Sequence, residues 1–288
     1  QAQPGHPGEP VGRNANRIGG AKFTLNGVTY ELAKNSAEVN NLHSGPDYYR
    51  DRIWDAEVEE TALGTTITFG LHSPDGDQGY PGNADITVSY TLTPDNCLKL
   101  DYHMVSDADT IANFTNHVYF NLGGYKSGSA LDQRVWIDAD YFTATDANSI
   151  PTGELVAVKG TPMDFTEMKP IGRDIQEDYQ ALKYGNGYDH NWALNHPAGE
   201  LSLSAKAEDE KTGRTMEVYT DLPGVQFYTA NSLKTERGKN HAVYTPRCGY
   251  CFETQYFPDA INKPEFASPV IKAGEEYKTT TIYKFGVK

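Results

Sequence analysis

The chain has 288 residues, enough to bury a sizeable core, and its 38% hydrophobic and 22% charged content is ordinary for a folded protein. A formal net charge of −14 speaks against nucleic-acid or anionic-membrane partners, which Lys and Arg would have to neutralise. No run approaches the roughly 18 apolar residues of a membrane-spanning helix.

In chain order, residues 1–10 are rich in Pro and Gly, lack apolar periodicity and read as a loop with no signal peptide. Gly12-Arg13-Asn14-Ala15-Asn16-Arg17-Ile18-Gly19-Gly20 is also loop-like, and Arg17 is suited to forking two hydrogen bonds to adjacent hydroxyls. Asn26-Gly27 between two apolar runs is a hairpin signal. Asn40-Asn41-Leu42-His43-Ser44-Gly45 reads as another loop, equally able to spend its polar groups on its own backbone. Period-two alternation then dominates: Thr65, Ile67, Phe69 and Leu71; Ile86, Val88, Tyr90 and Leu92; Leu98, Leu100, Tyr102 and Met104. Thr93-Pro94-Asp95-Asn96 separates the last two runs as a hairpin turn.

Asn116-His117-Val118-Tyr119-Phe120-Asn121-Leu122 places His117, Tyr119 and Asn121 on one strand face and apolar residues on the other. Helical signal is poor; the best candidate is residues 174–184, where Ile175, Tyr179 and Leu182 recur at i, i+4 and i+7, and at most one short helix is expected there. Tyr188-Asp189-His190-Asn191-Trp192 offers Asp189 or His190 to a ligand, with Trp192 stacking or filling the core. Leu201, Leu203 and Ala205 alternate with serines. In Cys251-Phe252-Glu253-Thr254-Gln255-Tyr256-Phe257-Pro258-Asp259, an ionisable Glu sits inside an aromatic run, where partial burial would raise its pKa toward that of a useful base. Thr279, Thr281, Tyr283 and Phe285 close the chain on one face. Many antiparallel strands with almost no helix mean a sandwich or barrel.

Cys97, Cys248 and Cys251 are too few and too odd in number for a disulfide framework, and a reducing, cytoplasmic setting fits them. Cys248-Gly249-Tyr250-Cys251 lacks the second ligand pair that a zinc site needs. Polar side chains interleaved with aromatics and glycines suit a sugar, which offers hydroxyls to bond and an apolar face to stack. Each segment alone reads equally as structure: a satisfied histidine, an edge glutamate, a polar turn.

Together the segments resemble the aldose 1-epimerase (galactose mutarotase) family. The resemblance rests on Asn16-Arg17-Ile18, Leu42-His43-Ser44-Gly45, Ser73-Pro74-Asp75-Gly76, Gly79-Tyr80-Pro81-Gly82-Asn83, the His117 and Asp189 segments, Pro223-Gly224-Val225-Gln226-Phe227-Tyr228-Thr229, and Glu253-Thr254-Gln255 with Phe257-Pro258-Asp259-Ala260. These appear in family order across nearly the whole chain. The resemblance implies one all-β domain over residues 1–288, a large antiparallel β-sandwich of the galactose-mutarotase kind with few short helices. It implies Glu253 as general base, His117 as general acid and His43 as second active-site histidine. It implies Asn16, Arg17, Asp189 and Gln226 as holders of sugar hydroxyls. Two departures stand out: the usual His-Gly-Gly is His-Ser-Gly, and the chain starts almost at the segment around Gly12 to Ile18, without the strands the family carries before it. An unpaired sheet edge is the expectation.

Anomer exchange needs the C1 hydroxyl to lose a proton while the ring oxygen gains one, so that the C1–O5 bond opens, the aldehyde rotates and the ring recloses. Glu253 is expected ionised and His117 protonated in the competent state, with His43 a further donor near the ring oxygen. Neither metal nor cofactor is expected, and the expected partner is a small aldose. Three rivals remain. A glycoside hydrolase would use Asp189 and Glu253 as paired carboxylates. A non-catalytic sugar-binding domain need not keep Glu253 and His117 together. A hexose 6-phosphate epimerase would need a basic cluster, and only scattered Arg and Lys occur near these segments.

Overall fold

The computed structural model describes residues 8–288, apart from the side chains of Glu236 and Lys239. The loop expected over residues 1–10 lies outside the described residues as far as residue 7, and Pro10–Val11 is a short strand paired with Thr115–Asn116.

Two antiparallel sheets dominate. The larger runs Lys169–Pro170, Arg134–Ile137, Ser202–Glu208, Arg214–Thr220, Glu276–Val287, Cys97–Ser106, Ala84–Leu92, Gly64–Ser73, Asp55–Thr61. The smaller runs Pro151–Ala157, Tyr141–Thr145, Asp189–Ala193, Gly224–Tyr228, Cys251–Gln255. Alternate residues of the long strands point inward and form one continuous surface: Ile86, Val88, Leu100, Tyr102, Met104, Met216, Val218 and Tyr283 are all buried. Against it pack Phe142, Trp192, Val225, Phe227 and Phe252 of the smaller sheet. Fully burying such a side chain contributes roughly 1.5–3 kcal/mol. The Tyr283 hydroxyl donates to the Phe252 carbonyl at 3.0 Å, and Thr254 and Thr281 hydroxyls meet at 2.6 Å, so the two layers are also stitched by hydrogen bonds. The expected large antiparallel β-sandwich with few short helices is what the chain adopts.

Both turn expectations hold. Asn26 and Gly27 sit at φ 51° and 79° between Lys22–Leu25 and Val28–Glu31, the positive angles that a tight hairpin requires. Thr93 to Asn96 joins Ala84–Leu92 to Cys97–Ser106, with the Thr93 N–H on the Cys97 carbonyl. The single short helix expected over 174–184 is found at the end of that stretch, spanning Gln180–Gly185 and ended by Asn186 at φ 51°. Residues 171–178 form turns and bends, with Asp174 held by the buried Lys169 ammonium at 2.6 Å. Ile175 and Leu182 are both buried, so the apolar spacing marks a face packed on the core.

The alternation over Thr65 to Leu71 gives a strand but not a buried one. Ile67 is 37% exposed and Val58 on the neighbouring edge strand 64% exposed. The segment around His117 also departs from expectation. Only Thr115–Asn116 is strand; His117 then pairs its backbone with Gly8 and Glu9, and Phe120 with Tyr250. Asn121 turns away from its expected face, its amide donating to the Cys248 and Gly128 carbonyls.

Candidate active site

The smaller sheet lays out the site by register. Asn191 pairs with Gln226, and Gln226 with Glu253, so three polar side chains form a row across three strands. Asp189, Tyr228 and Cys251 form the adjacent row, and Gly224 and Gln255 pair on the other side. The intervening Trp192, Phe227 and Phe252 are all buried on the opposite face, with Phe227 stacked on Phe252 at 5.2 Å. These aromatics fix the polar row, since a slip of one residue would exchange the two faces.

The histidines arrive from other elements. Arg17–Ile18 pairs with Asn41–Leu42, which brings His43 onto Asn16. Ile18, Phe23, Leu32, Tyr80 and Ile111 anchor this corner as a small second core. The His43 N–H donates to the Asn16 carbonyl (2.9 Å), and the Asn16 N–H donates to His43 Nδ1 (3.0 Å). Asn16 and His43 both hold positive φ, 62° and 53°, a conformation uncommon outside Gly and concentrated at functional sites. Ser44, where the resembled motif has Gly, is fully buried; its hydroxyl accepts the Asn14 N–H and lies 3.0 Å from the Tyr80 hydroxyl. The departure is thus absorbed as a strut.

Glu253 is the meeting point. His117 Nε2 lies 3.6 Å from its Oε1, and His43 Nε2 lies 4.0 Å from its Oε2. The two imidazole rings meet edge-on at 5.4 Å, with Tyr119 and Tyr228 beside His117. Burial pushes the Glu253 carboxyl well above the ordinary carboxylate range, the Asp189 charge pushes the same way, and Arg17 opposes. Gln226 donates to Asp189 at 2.7 Å, Gln255 donates to Asn191 at 3.1 Å, and Asn16 donates to Gln255 at 3.3 Å.

The structure therefore brings together every predicted site residue: Asn16, Arg17, His43, His117, Asp189, Gln226 and Glu253. His190 is the exception among the candidates of its segment. It points into the core against Phe142 and Trp192, and burial lowers its pKa to about 4, so it is a neutral packing residue. Trp192 fills the core, its N–H on the Met163 carbonyl. Asn191, Gln255 and Cys251 were not singled out for the site, although each lies two positions from a residue that was.

Among the described residues, three buried polar atoms of the site have no hydrogen-bond partner: Glu253 Oε2, an acceptor, and Arg17 Nε and Asn191 Nδ2, both donors. Buried polar groups are normally paired, and these fit a ligand that both donates and accepts, as hydroxyls do.

His43, His117 and Glu253 place one ligand atom each within 4.8 Å of one another, a spacing reminiscent of a zinc site. Their hydrogen bonding does not fit one. With Nδ1 accepting from Asn16, neutral His43 must carry its proton on Nε2, the atom that would have to bind the metal.

An antiparallel sandwich with a carboxylate held between two imidazoles defines an acid–base site for a hydroxyl-rich small molecule. The aldose 1-epimerase family model matches residues 1–284. Galactose mutarotase of Bos taurus is 42% identical over 288 residues, covering 100% of this chain and 80% of that protein. Aldose 1-epimerase of Escherichia coli (strain K12) is 35% identical, covering 99% and 81%. The crystal structure of galactose 1-epimerase from Lactobacillus acidophilus NCFM superposes with a TM-score of 0.86 at 27% identity, covering 99% of this chain and 81% of that one. The chain belongs to the aldose 1-epimerase family, and its activity is that of an isomerase acting on the anomers of a small sugar. No helix among the described residues is long and apolar enough to cross a membrane.

Proposed function

We propose that Glu253 and His117 exchange the two protons that open and reclose the ring of a free hexose such as galactose or glucose. Glu253 takes the proton of the C1 hydroxyl, and His117 gives one to the ring oxygen. The C1–O5 bond breaks, the aldehyde turns about C1–C2, and the reverse transfers close the ring from its other face. The two oxygens are both borne by C1, so base and acid must stand side by side, as the 3.6 Å between Glu253 and His117 allows. His43 Nε2–H is a neutral donor that steadies charge on the ring oxygen.

A raised carboxyl pKa serves this role, because a base is most effective when its pKa lies near working pH. Asn16, Arg17, Asp189 and Gln226 hold the remaining hydroxyls. The unpaired buried trio of Glu253 Oε2, Arg17 Nε and Asn191 Nδ2 carries this reading, since a sugar would satisfy all three. Two histidines against the carboxylate favour an epimerase over a hydrolase, which needs a second carboxylic acid as proton donor. Residues 1–288 act as one domain in this reading, in the cytoplasm and without a nucleic-acid partner.

Polarimetry of freshly dissolved α-D-galactose and α-D-glucose tests it. Faster relaxation to the same final rotation is the expected result. Sugar binding without acceleration would convert the reading to that of a non-catalytic sugar-binding domain.

A further inference from the structure

The two histidines flanking Glu253 differ in what faces their Nδ1. His43 faces the Asn16 backbone N–H at 3.0 Å, a group that can only donate. His117 faces the Cys251 thiol at 3.5 Å, a group that can donate S–H or accept at sulfur. A histidine gives up a proton readily from one nitrogen only if the other already carries one; otherwise it would leave as an imidazolate. Protonating His43 at Nδ1 would set two N–H groups against each other. Protonating His117 at Nδ1 costs no such clash, because the thiol turns and offers sulfur.

We propose that Cys251 is a positioning residue for the acid: its thiol lets His117, and not His43, hold the second ring proton. This deepens the proposed function and rests on it. Cys251 is fully buried on the strand that carries Glu253, two positions away, so both side chains emerge on the same face. With no accessible surface it serves neither as a nucleophile nor as a reactive thiol, and burial holds it protonated, with its pKa well above the usual thiol value. The thiol is therefore neutral in both states of His117. In the resting neutral ring S–H donates to Nδ1. In the imidazolium, and after Nε2 has passed its proton to the sugar, Nδ1–H donates to sulfur. Among the described residues, other ionisable groups facing His117 include Glu253 from the strand of Cys251, Tyr228 from the neighbouring strand, Tyr119 from its own segment and His43 from the loop after Asn41–Leu42. Arg17, Asp189 and Glu9 act on this cluster through the charge of Glu253.

Histidine-selective ¹⁵N NMR on the unmodified protein reads each ring without turnover. His43 should keep Nε2–H alone across the working range, whereas His117 should gain Nδ1–H as pH falls. Protonation of His43 at Nδ1 before His117 would overturn the proposal. Kinetics of Cys251→Ala and Cys251→Ser provide the second reading. The acid must be protonated, so kcat falls as pH rises through the His117 titration. Removing the acceptor weakens the imidazolium, so Cys251→Ala should lower kcat about tenfold, a fraction of what acid–base catalysis supplies. It should leave KM near its original value and move the alkaline limb down by up to about one unit. Cys251→Ser, whose hydroxyl also donates and accepts, should restore both. A fall in thermal stability with the limb unmoved, or a serine variant no better than alanine, would overturn the proposal. Absence of acceleration by the unsubstituted chain would instead remove the mutarotase reading beneath it, whatever the NMR shows.

Discussion

The backbone N–H of Asn16 points at Nδ1 of His43 from 3.0 Å, while the His43 N–H returns a bond to the Asn16 carbonyl. This reciprocal pair makes His43 a fixed donor through Nε2, 4.0 Å from Glu253 Oε2. A rigid neutral donor steadies developing charge without joining the proton balance. His43→Gln should therefore lower kcat by roughly 10²–10³, the scale of one lost charge-stabilising donor. It should leave the positions of both pH limbs unchanged, which a pH series of polarimetric rates checks.

Glu253→Gln keeps the shape of the side chain and removes the proposed base. Turnover should fall by about 10²–10⁴ with little change in sugar affinity, measured by calorimetry beside polarimetry. Stability should move the opposite way. Burial raises the Glu253 pKa in the folded chain, so its favourable contribution is present below the ordinary carboxylate range and is lost as pH rises through the folded value. Above the ordinary carboxylate range the buried carboxyl therefore weakens the fold, and glutamine relieves it. The variant should melt higher than the parent at pH 8 by about 2–4 °C for each kcal/mol relieved. The gap should close near pH 4, as scanning calorimetry at both pH values would reveal.

The pH profile carries a signed test of the charges around Glu253. With Glu253 as the proposed base, catalysis requires its carboxylate, so the acid limb of kcat should follow the raised Glu253 titration and lie well above that of an ordinary glutamate. Asp189 raises that titration and Arg17 lowers it. Asp189→Asn should move the acid limb to lower pH, and Arg17→Gln to higher pH. Both should weaken sugar binding, since Asp189 anchors Gln226 and Arg17 Nε has no partner among the described residues. Limbs that shift together in one direction would contradict the assignment.

Much of this fold was legible because strands report themselves at period two. Ile86, Val88, Leu100 and Tyr102 announce a buried face, and they form one. Alternation cannot say what covers a face, so the matching run at Ile67 proved partly open. Glu253 and Asp189 stood out as charges among aromatics. Asn191 and Gln255 share their faces at i+2, so the same periodicity could have found them. The meeting of Asn16, His43, His117 and Glu253 was different. It depends on pairings such as Arg17 with Leu42 and Pro10 with Asn116, which no local pattern encodes. The resemblance, not the residue pattern, supplied that convergence. Nor could sequence distinguish the two histidines, because a backbone N–H at one Nδ1 and a thiol at the other follow from packing alone.

Gly224 tests how tightly the polar floor is built. It lies on Gly224–Tyr228, opposite Gln255 and Ala193, where the strand needs no special backbone angle. A Cβ placed there would come within 2.6 Å of Asn191 Oδ1 and 2.8 Å of the Phe257 ring. The Phe257 ring also packs on Phe266, which limits its retreat. The Asn191 amide must therefore shift, and with it the bond it accepts from Gln255, which in turn accepts from Asn16. Gly224→Ala should cost about 1–3 kcal/mol of stability, the usual penalty of overpacking. It should raise KM several-fold while moving neither pH limb, because Glu253 and His117 keep their positions on the far side of Gln226. Denaturant melts and a pH series of initial rates separate the two effects. An unchanged KM would mean that the Asn191–Gln255–Asn16 chain does not shape the sugar site.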